Sequence, residues 1–225
     1  MLLDILRIKM RRWLAQNQQN RDKNLPQNFS WVEEKRLAGS SVPESPEQLE
    51  AMVQEGVTHL VSLSPETPPP STTISGLTIT FIPVEDFEAP NSEDFRCFFE
   101  LCQRAHALDQ AVAVHCKGGN GRTGTMLAGY LIWRYNYEAE AAVEFLRTMR
   151  PWSVESQDQM EALVRLHQEV GATSARDQMS ACALLSQGDG SLFVCEKCKF
   201  KARTNVELIT HKEENHKIVK CCCII

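Results

Sequence analysis

The chain has 225 residues, 43% hydrophobic and 24% charged, with a formal net charge of −5 and nine cysteines. No apolar run approaches the roughly 18 residues of a membrane-spanning helix, and no apolar stretch with a cleavage site opens the chain, which excludes a spanning helix and argues against secretion. An odd number of cysteines, several of them adjacent, argues against a disulfide scaffold and for a reducing compartment in which thiols serve catalysis or bind metal.

Charge is segregated along the chain. Residues 1–27 are net +4, residues 28–172 net −11 and residues 173–225 net +2. The acidic middle attracts nucleic acid or anionic lipid poorly, so any phosphate bound there must be held by local chemistry. Residues 1–27 read as a basic amphipathic and polar extension. Leu2, Leu3, Leu6, Met10, Trp13 and Leu14 share one helical face, with Arg7, Lys9, Arg11 and Arg12 elsewhere. Such a face suits packing on the rest of the chain, an anionic membrane surface, or a presequence, the last opposed by Asp4 and the lack of serine. Residues 16–27 are polar and have little to bury.

Residues 28–172 alternate helix and strand signals. Ser45-Pro46-Glu47-Gln48 has the pattern of a capping box with proline at the first helical position, and the helix should end at Gly56. Residues 58–63 are a short apolar strand, 64–76 a loop rich in proline and serine, and 77–84 a second strand. A helix from Ser92 places Phe95, Phe98, Phe99 and Cys102 on one side. Residues 111–115 form a buried strand, followed by helices over about 122–135, 138–149 and 156–169. Strands separated by helices predict an α/β domain with a mostly parallel central sheet flanked by helices. Residues 173–190 read as a linker, 191–218 as a compact Cys/His segment and 219–225 as a cysteine-rich tail.

The segment His115-Cys116-Lys117-Gly118-Gly119-Asn120-Gly121-Arg122-Thr123-Gly124 follows a strand and opens a helix. Three glycines let successive backbone N–H groups curl around an oxyanion, and the helix N-terminus adds its positive end. Arg122 can grip two phosphate oxygens as a planar fork. Cys116 lies at the base of that cup, where the helix end and Arg122 favour its thiolate, a nucleophile for phosphoryl transfer. The competing reading is an ordinary buried cysteine before a glycine-rich turn. A cysteine, five residues and then Arg-Thr at a strand-to-helix turn is much more demanding.

The loop resembles the HCxxGxxR[ST] signature of the cysteine-based protein tyrosine phosphatases, complete from His115 to Thr123. Asn28-Phe29-Ser30-Trp31, Arg36-Leu37-Ala38-Gly39, His59-Leu60-Val61-Ser62-Leu63 and residues 121–128 extend the likeness to the small atypical dual-specificity phosphatases, above all the dual-specificity phosphatase 23 type. That likeness covers about residues 28–170. The N-terminal extension and everything after about residue 172 depart from it. It implies a cysteine phosphatase fold, a phosphocysteine intermediate on Cys116 and no cofactor for catalysis. Phosphate would be held by Lys117, Gly118, Gly119, Asn120, Gly121 and Arg122.

Asp86, in Glu85-Asp86-Phe87-Glu88-Ala89-Pro90, matches the position of the family's general acid, with Glu85 and Glu88 as rivals. By the same resemblance Thr123 supports thiolate departure, and His115 orients the loop and helps keep Cys116 ionised. Gln159, chosen over Glu155 and Gln157, lies near the hydrolytic water. The implied substrate is a phosphoprotein, dephosphorylated at tyrosine and at serine or threonine. Lys117 leaves open a phosphoinositide or RNA 5′-phosphatase, and a non-catalytic phosphoprotein-binding adaptor is the third reading. The implied location is cytoplasmic, with nuclear or membrane-associated alternatives.

Cys195-x2-Cys198-x12-His211-x4-His216 has the spacing of a C2H2 zinc finger, so one structural zinc and a small ββα module are expected. The positions that usually read bases fall on Thr204, Glu207 and Thr210, without arginine or lysine, which disfavours sequence-specific DNA binding and favours a protein partner. At the end, Cys222 fits a prenylation box loosely. Together with the basic N-terminal helix it would give the two signals that peripheral membrane attachment requires.

Overall fold

The computed structural model describes residues 2–185, 193–194 and 201–202, with side-chain detail over residues 11–172. The chain divides into two compact units, Met1–Val170 and Gly171–Ile225. The first unit begins with α1 (Leu2–Asp22), followed by β1 (Ser30–Glu33), β2 (Leu37–Ser40), α2 (Pro46–Gln54), β3 (Val57–Ser62) and β4 (Thr78–Phe81). Next come α3 (Ser92–His106), β5 (Ala111–His115), α4 (Gly121–Tyr135) and α5 (Ala139–Met149). Helix α6 (Gln157–Leu185) starts in the first unit and runs on into the second, which also holds β6 (Phe193–Val194) paired antiparallel with β7 (Lys201–Ala202).

The five strands of the first unit lie in the order β1-β2-β5-β3-β4. All neighbours are parallel except β1 and β2, which pair antiparallel. The expected α/β sheet flanked by helices is therefore a mixed sheet with one antiparallel edge. β1 and β2 had no strand signal of their own beyond four residues each. They are strands because β2 adds to the buried edge of β5 and brings β1 with it.

β5 sits at the centre and is buried at all five positions. Its alternation sends Val112 and Val114 into a cluster with Phe95, Phe98, Leu127, Leu131 and Leu163, while Ala113 faces Phe29, Leu49, Met52 and Leu60 on the other side. Two apolar layers thus clamp one strand, as expected of a parallel sheet covered on both faces.

Two local expectations are corrected. Ser45 makes no side-chain cap to α2, and Gln48 instead accepts from the Glu44 N–H at 2.8 Å. A reciprocal capping box exists at α3, where Asn91 and Asp94 exchange bonds. The polar stretch after Gln16 buries more than its composition suggested. Asn20 and Leu25 are buried, and Asn20 Nδ2 donates to Phe29 O at 2.9 Å. Among the described residues no helix is long and apolar enough to cross a membrane.

Candidate active site

Ligand sites in parallel sheets gather at the carboxyl ends of the strands, where loops converge. Here Cys116 follows β5 directly, and the loop from 116 to 120 turns into α4 at Gly121. A cleft of about 360 Å³ opens there, lined by Asp86, Phe87, Cys116, Lys117, Gly118, Asn120, Gly121, Arg122, Glu155 and Gln159. Cys116 is buried at its base and carries no disulfide. Burial pushes the thiol of Cys102, deep in the core near Glu33, strongly up, so that second buried cysteine stays protonated and inert.

Arg122 is the most heavily engaged side chain of the site. Its Nη1 donates to Val84 O at 2.9 Å and to Glu66 Oε2 at 3.1 Å, and its Nη2 donates to Glu66 Oε1 at 2.6 Å. Asp86 Oδ1 lies 2.9 Å from the same Nη2. Burial opposes the guanidinium charge, but bonding to Glu66 and the nearby Cys116, Glu66 and Asp86 outweigh it and hold its pKa above the ordinary value. The same bond holds the Glu66 carboxyl below its usual range, against the opposing effect of burial. A carboxylate forked onto a guanidinium makes the contacts that two phosphate oxygens make.

Glu66 escaped the sequence reading. It lies in the loop that follows β3, which looked like a mere Pro/Ser-rich connection. The available signal was topological: an acid just past the carboxyl end of a strand adjacent to β5 is placed beside the cleft. Glu155, weighed but not chosen from sequence, also lines the cleft.

Among the three acids of the 85–88 segment, only Asp86 lines the cleft, while Glu85 and Glu88 are exposed outside it. Phe87 beside it has φ 65° and is 75% exposed, so this segment holds a strained turn at the cleft mouth. Gln159 is buried; its Oε1 accepts from the N–H groups of Glu155 at 2.9 Å and Ser156 at 3.3 Å, and its Nε2 reaches Glu88 O at 3.4 Å. Gln157 lies outside, donating to Glu161. Lys117 is exposed at the cleft rim.

His115 is fully buried, with Nδ1 3.2 Å from Cys116 O, and burial pushes its pKa down to about 4. A neutral imidazole brings no positive charge to the cup, and its Nδ1 faces the Cys116 carbonyl. The Thr123 hydroxyl is buried and has no hydrogen-bond partner among the described residues. Cys195, Cys198, His211, His216 and Cys222 lie outside the described residues, as do the side chains of Leu2, Leu3, Leu6 and Met10.

A thiol at the base of a glycine loop, an arginine locked beneath it and an acid on the facing segment define a cysteine-dependent phosphatase site. Consistent with this, residues 26–163 match the family described as PTP-SAK, Swiss Army Knife protein, DSP-PTPase phosphatase domain, and the chain belongs to that family. The tyrosine-protein phosphatase cdcA of Emericella nidulans is 35% identical over 108 residues, covering 47% of this chain and 18% of the relative. The phosphatidylglycerophosphatase and protein-tyrosine phosphatase 1 of Mus musculus is 39% identical over 78 residues, covering 35% of this chain and 40% of the relative. The chain therefore spans less than half the length of these relatives. A solved structure, Tk-PTP in the active form, superposes with a TM-score of 0.56 at 25% identity, covering 63% of this chain and 97% of that one.

Proposed function

We propose that the chain hydrolyses phosphate monoesters of phosphoproteins, at tyrosine and at serine or threonine, through a phosphocysteine on Cys116. One observation carries this reading: the Cys116 loop and the doubly gripped Arg122 form one cleft with Asp86 across from them. The phosphate takes up Arg122 and the loop N–H groups. The Cys116 thiolate then attacks phosphorus while the ester P–O bond breaks, and Asp86 gives its proton to the leaving oxygen. Water next attacks phosphorus, the S–P bond breaks, and Asp86 takes the proton from that water. Gln159 borders the cleft where this water must sit, and the unpartnered Thr123 hydroxyl is free to donate to the departing thiolate.

Cys116→Ser should abolish phosphate release from phosphotyrosine and phosphothreonine peptides. Asp86→Asn should slow poor leaving groups far more than activated aryl phosphates, and equal slowing of both would refute its assignment as the acid. A lipid phosphate is the second reading, favoured by Lys117 at the rim and by the dual name of the mouse relative. The net −11 charge of residues 28–172 weighs against it. Turnover of lipid phosphate alone would replace the protein substrate.

The likeness to the dual-specificity phosphatase 23 type rests on the motifs of residues 28–128. For the second unit we propose a zinc-bound finger on Cys195, Cys198, His211 and His216, docking a protein partner. Two features support it: the ligand spacing, and the antiparallel β6–β7 pair that brackets the segment containing both cysteines. Zinc would supply folding energy there, so a chelator should remove amide-exchange protection from residues 193–216 selectively; unchanged protection would refute the site.

A further inference from the structure

A loop can aim its N–H groups at an oxyanion only if its carbonyls turn outward, and each outward carbonyl then needs a donor of its own. For the loop after Cys116 the donors can be traced. Lys117 O accepts from Val42 N at 3.2 Å. Asn28 serves the tip: its Nδ2 lies 3.3 Å from Gly118 O, 3.2 Å from Gly119 O and 2.8 Å from Asn120 Oδ1. Arg150, fully buried, adds its Nη2 to Gly119 O at 2.7 Å. One asparagine amide thus touches three consecutive residues of the loop.

Asn28 is itself fixed. It holds φ 55°, a left-handed conformation that asparagine tolerates better than most residues. Its N–H donates to Asn17 Oδ1 at 2.7 Å, its carbonyl accepts from Arg150 Nη1 at 2.7 Å, and its Oδ1 accepts from Trp13 Nε1 at 3.3 Å. The following carbonyl, of Phe29, accepts from Asn20. Trp13, Asn17 and Asn20 are spaced four and three residues apart, so one face of α1 supplies three polar groups to two adjacent residues. That helix precedes residues 26–163, the part that matches the family.

We propose that Asn28 is a positioning residue for the phosphate loop, and that α1 sets its place through Trp13, Asn17 and Asn20. The proposal rests on the loop being a phosphate cradle and goes beyond it by making the N-terminal helix part of that cradle. Without the Asn28 amide, the peptide planes at Gly118 and Gly119 lose a donor that keeps their carbonyls outward. Their N–H groups then spend less time aimed at the ligand, and phosphate binds more weakly.

The test uses the full chain and inorganic phosphate, measured both as a ligand that raises the melting temperature and as a competitive inhibitor of turnover. Asn28→Gly removes the amide and also relieves the positive φ. Loss of one well-placed hydrogen bond to the loop corresponds to about a tenfold weaker phosphate affinity. Trp13→Phe and Asn17→Ala should weaken it in the same direction, each by a few-fold. Gln18→Ala, on the exposed face of α1 where Gln18 bonds only Arg21 and Asp22 of the same helix among the described residues, should leave it unchanged.

Asn28→Asp keeps the shape but turns a carboxylate toward two carbonyls. Its phosphate affinity relative to wild type should be low at neutral pH and recover as pH falls and the carboxyl gains a proton to donate. A residue needed only for its shape would show neither change. Unaltered phosphate affinity in folded Asn28→Gly and Asn17→Ala variants would overturn the proposal. Wild type that binds phosphate without turning over esters would instead refute the phosphatase reading and leave the affinity comparison intact.

Discussion

Gly118 and Gly119 are adjacent, yet substitution by alanine should have very unequal consequences. Gly119 has φ 75°, and a Cβ built there would overlap the Ser40 carbonyl oxygen and come within 2.5 Å of Ser40 C and 2.7 Å of Ser41 N. These are backbone atoms at the end of β2, where Ser40 is in register with His115 of β5. They cannot retreat without disturbing the sheet that carries Cys116. The left-handed conformation costs alanine about 1 kcal/mol, and overpacking against a rigid wall about 2 kcal/mol more. A loss of about 3 kcal/mol lowers the melting temperature by roughly 6–12 °C in a unit of this size. A Cβ on Gly118, in contrast, meets nothing nearer than Asn120 Nδ2 at 3.7 Å. Calorimetry of both variants, with phosphate affinity on the same samples, decides the matter. Gly119→Ala should be far less stable and bind phosphate poorly, while Gly118→Ala should melt within about 2 °C of wild type. Equal melting temperatures for the two would mean that the loop is not pressed on β2 as described.

Two further predictions concern charge. Glu66→Ala should lower kcat/KM about fivefold, near 1 kcal/mol, because Arg122 keeps Val84 O but loses its fork; the figure is small because Glu66 is about one-third exposed. Tighter phosphate binding in that variant would show that Glu66 competes with the ligand instead of orienting Arg122. His115 makes folding sensitive to acid. Its pKa falls from 6.5 to about 4 on burial, so the unfolded chain binds the extra proton first. Stability is therefore full above pH 6.5 and declines as pH falls from 6.5 to 4, by about 3 kcal/mol from this group. Urea unfolding across that window should show a shallower decline in His115→Gln; an unchanged slope would mean the imidazole is not buried neutral.

The parts of the site that sequence made legible are those whose chemistry is written in consecutive residues. Cys116 to Thr123 carries its nucleophile, glycines and guanidinium within one turn, and Asp86 was placed by a short motif next to a strand. β5 was legible because residues 111–114 are an unbroken apolar run. What stayed hidden depends on pairing between distant segments. Glu66 matters only because β3 lies beside β5, which no local pattern announces. Asn28 looked like one letter of a family motif, and its role arises from a left-handed backbone that aims its amide at a loop some ninety residues away. The polar stretch after Gln16 seemed unable to bury anything, because polarity marks exposure only when partners are missing. Asn17 and Asn20 find theirs on residues 28 and 29.

The order β1-β2-β5-β3-β4 also bears on how the protein comes to be active. The two neighbours of the Cys116 strand, β2 and β3, both precede it in sequence, with α2 between them and β4 and α3 between β3 and β5. The cup is therefore closed by contacts such as Val42 with Lys117, Glu66 with Arg122 and Arg150 with Gly39, which join segments up to 111 residues apart. Closing such long loops must precede the reward from their contacts, which makes this a slow, late-completed arrangement in folding. No fragment ending before Arg150 holds the finished cradle, so recovery of phosphate binding during refolding should report completion of the whole sheet and its last buttress, later than recovery of helical signal.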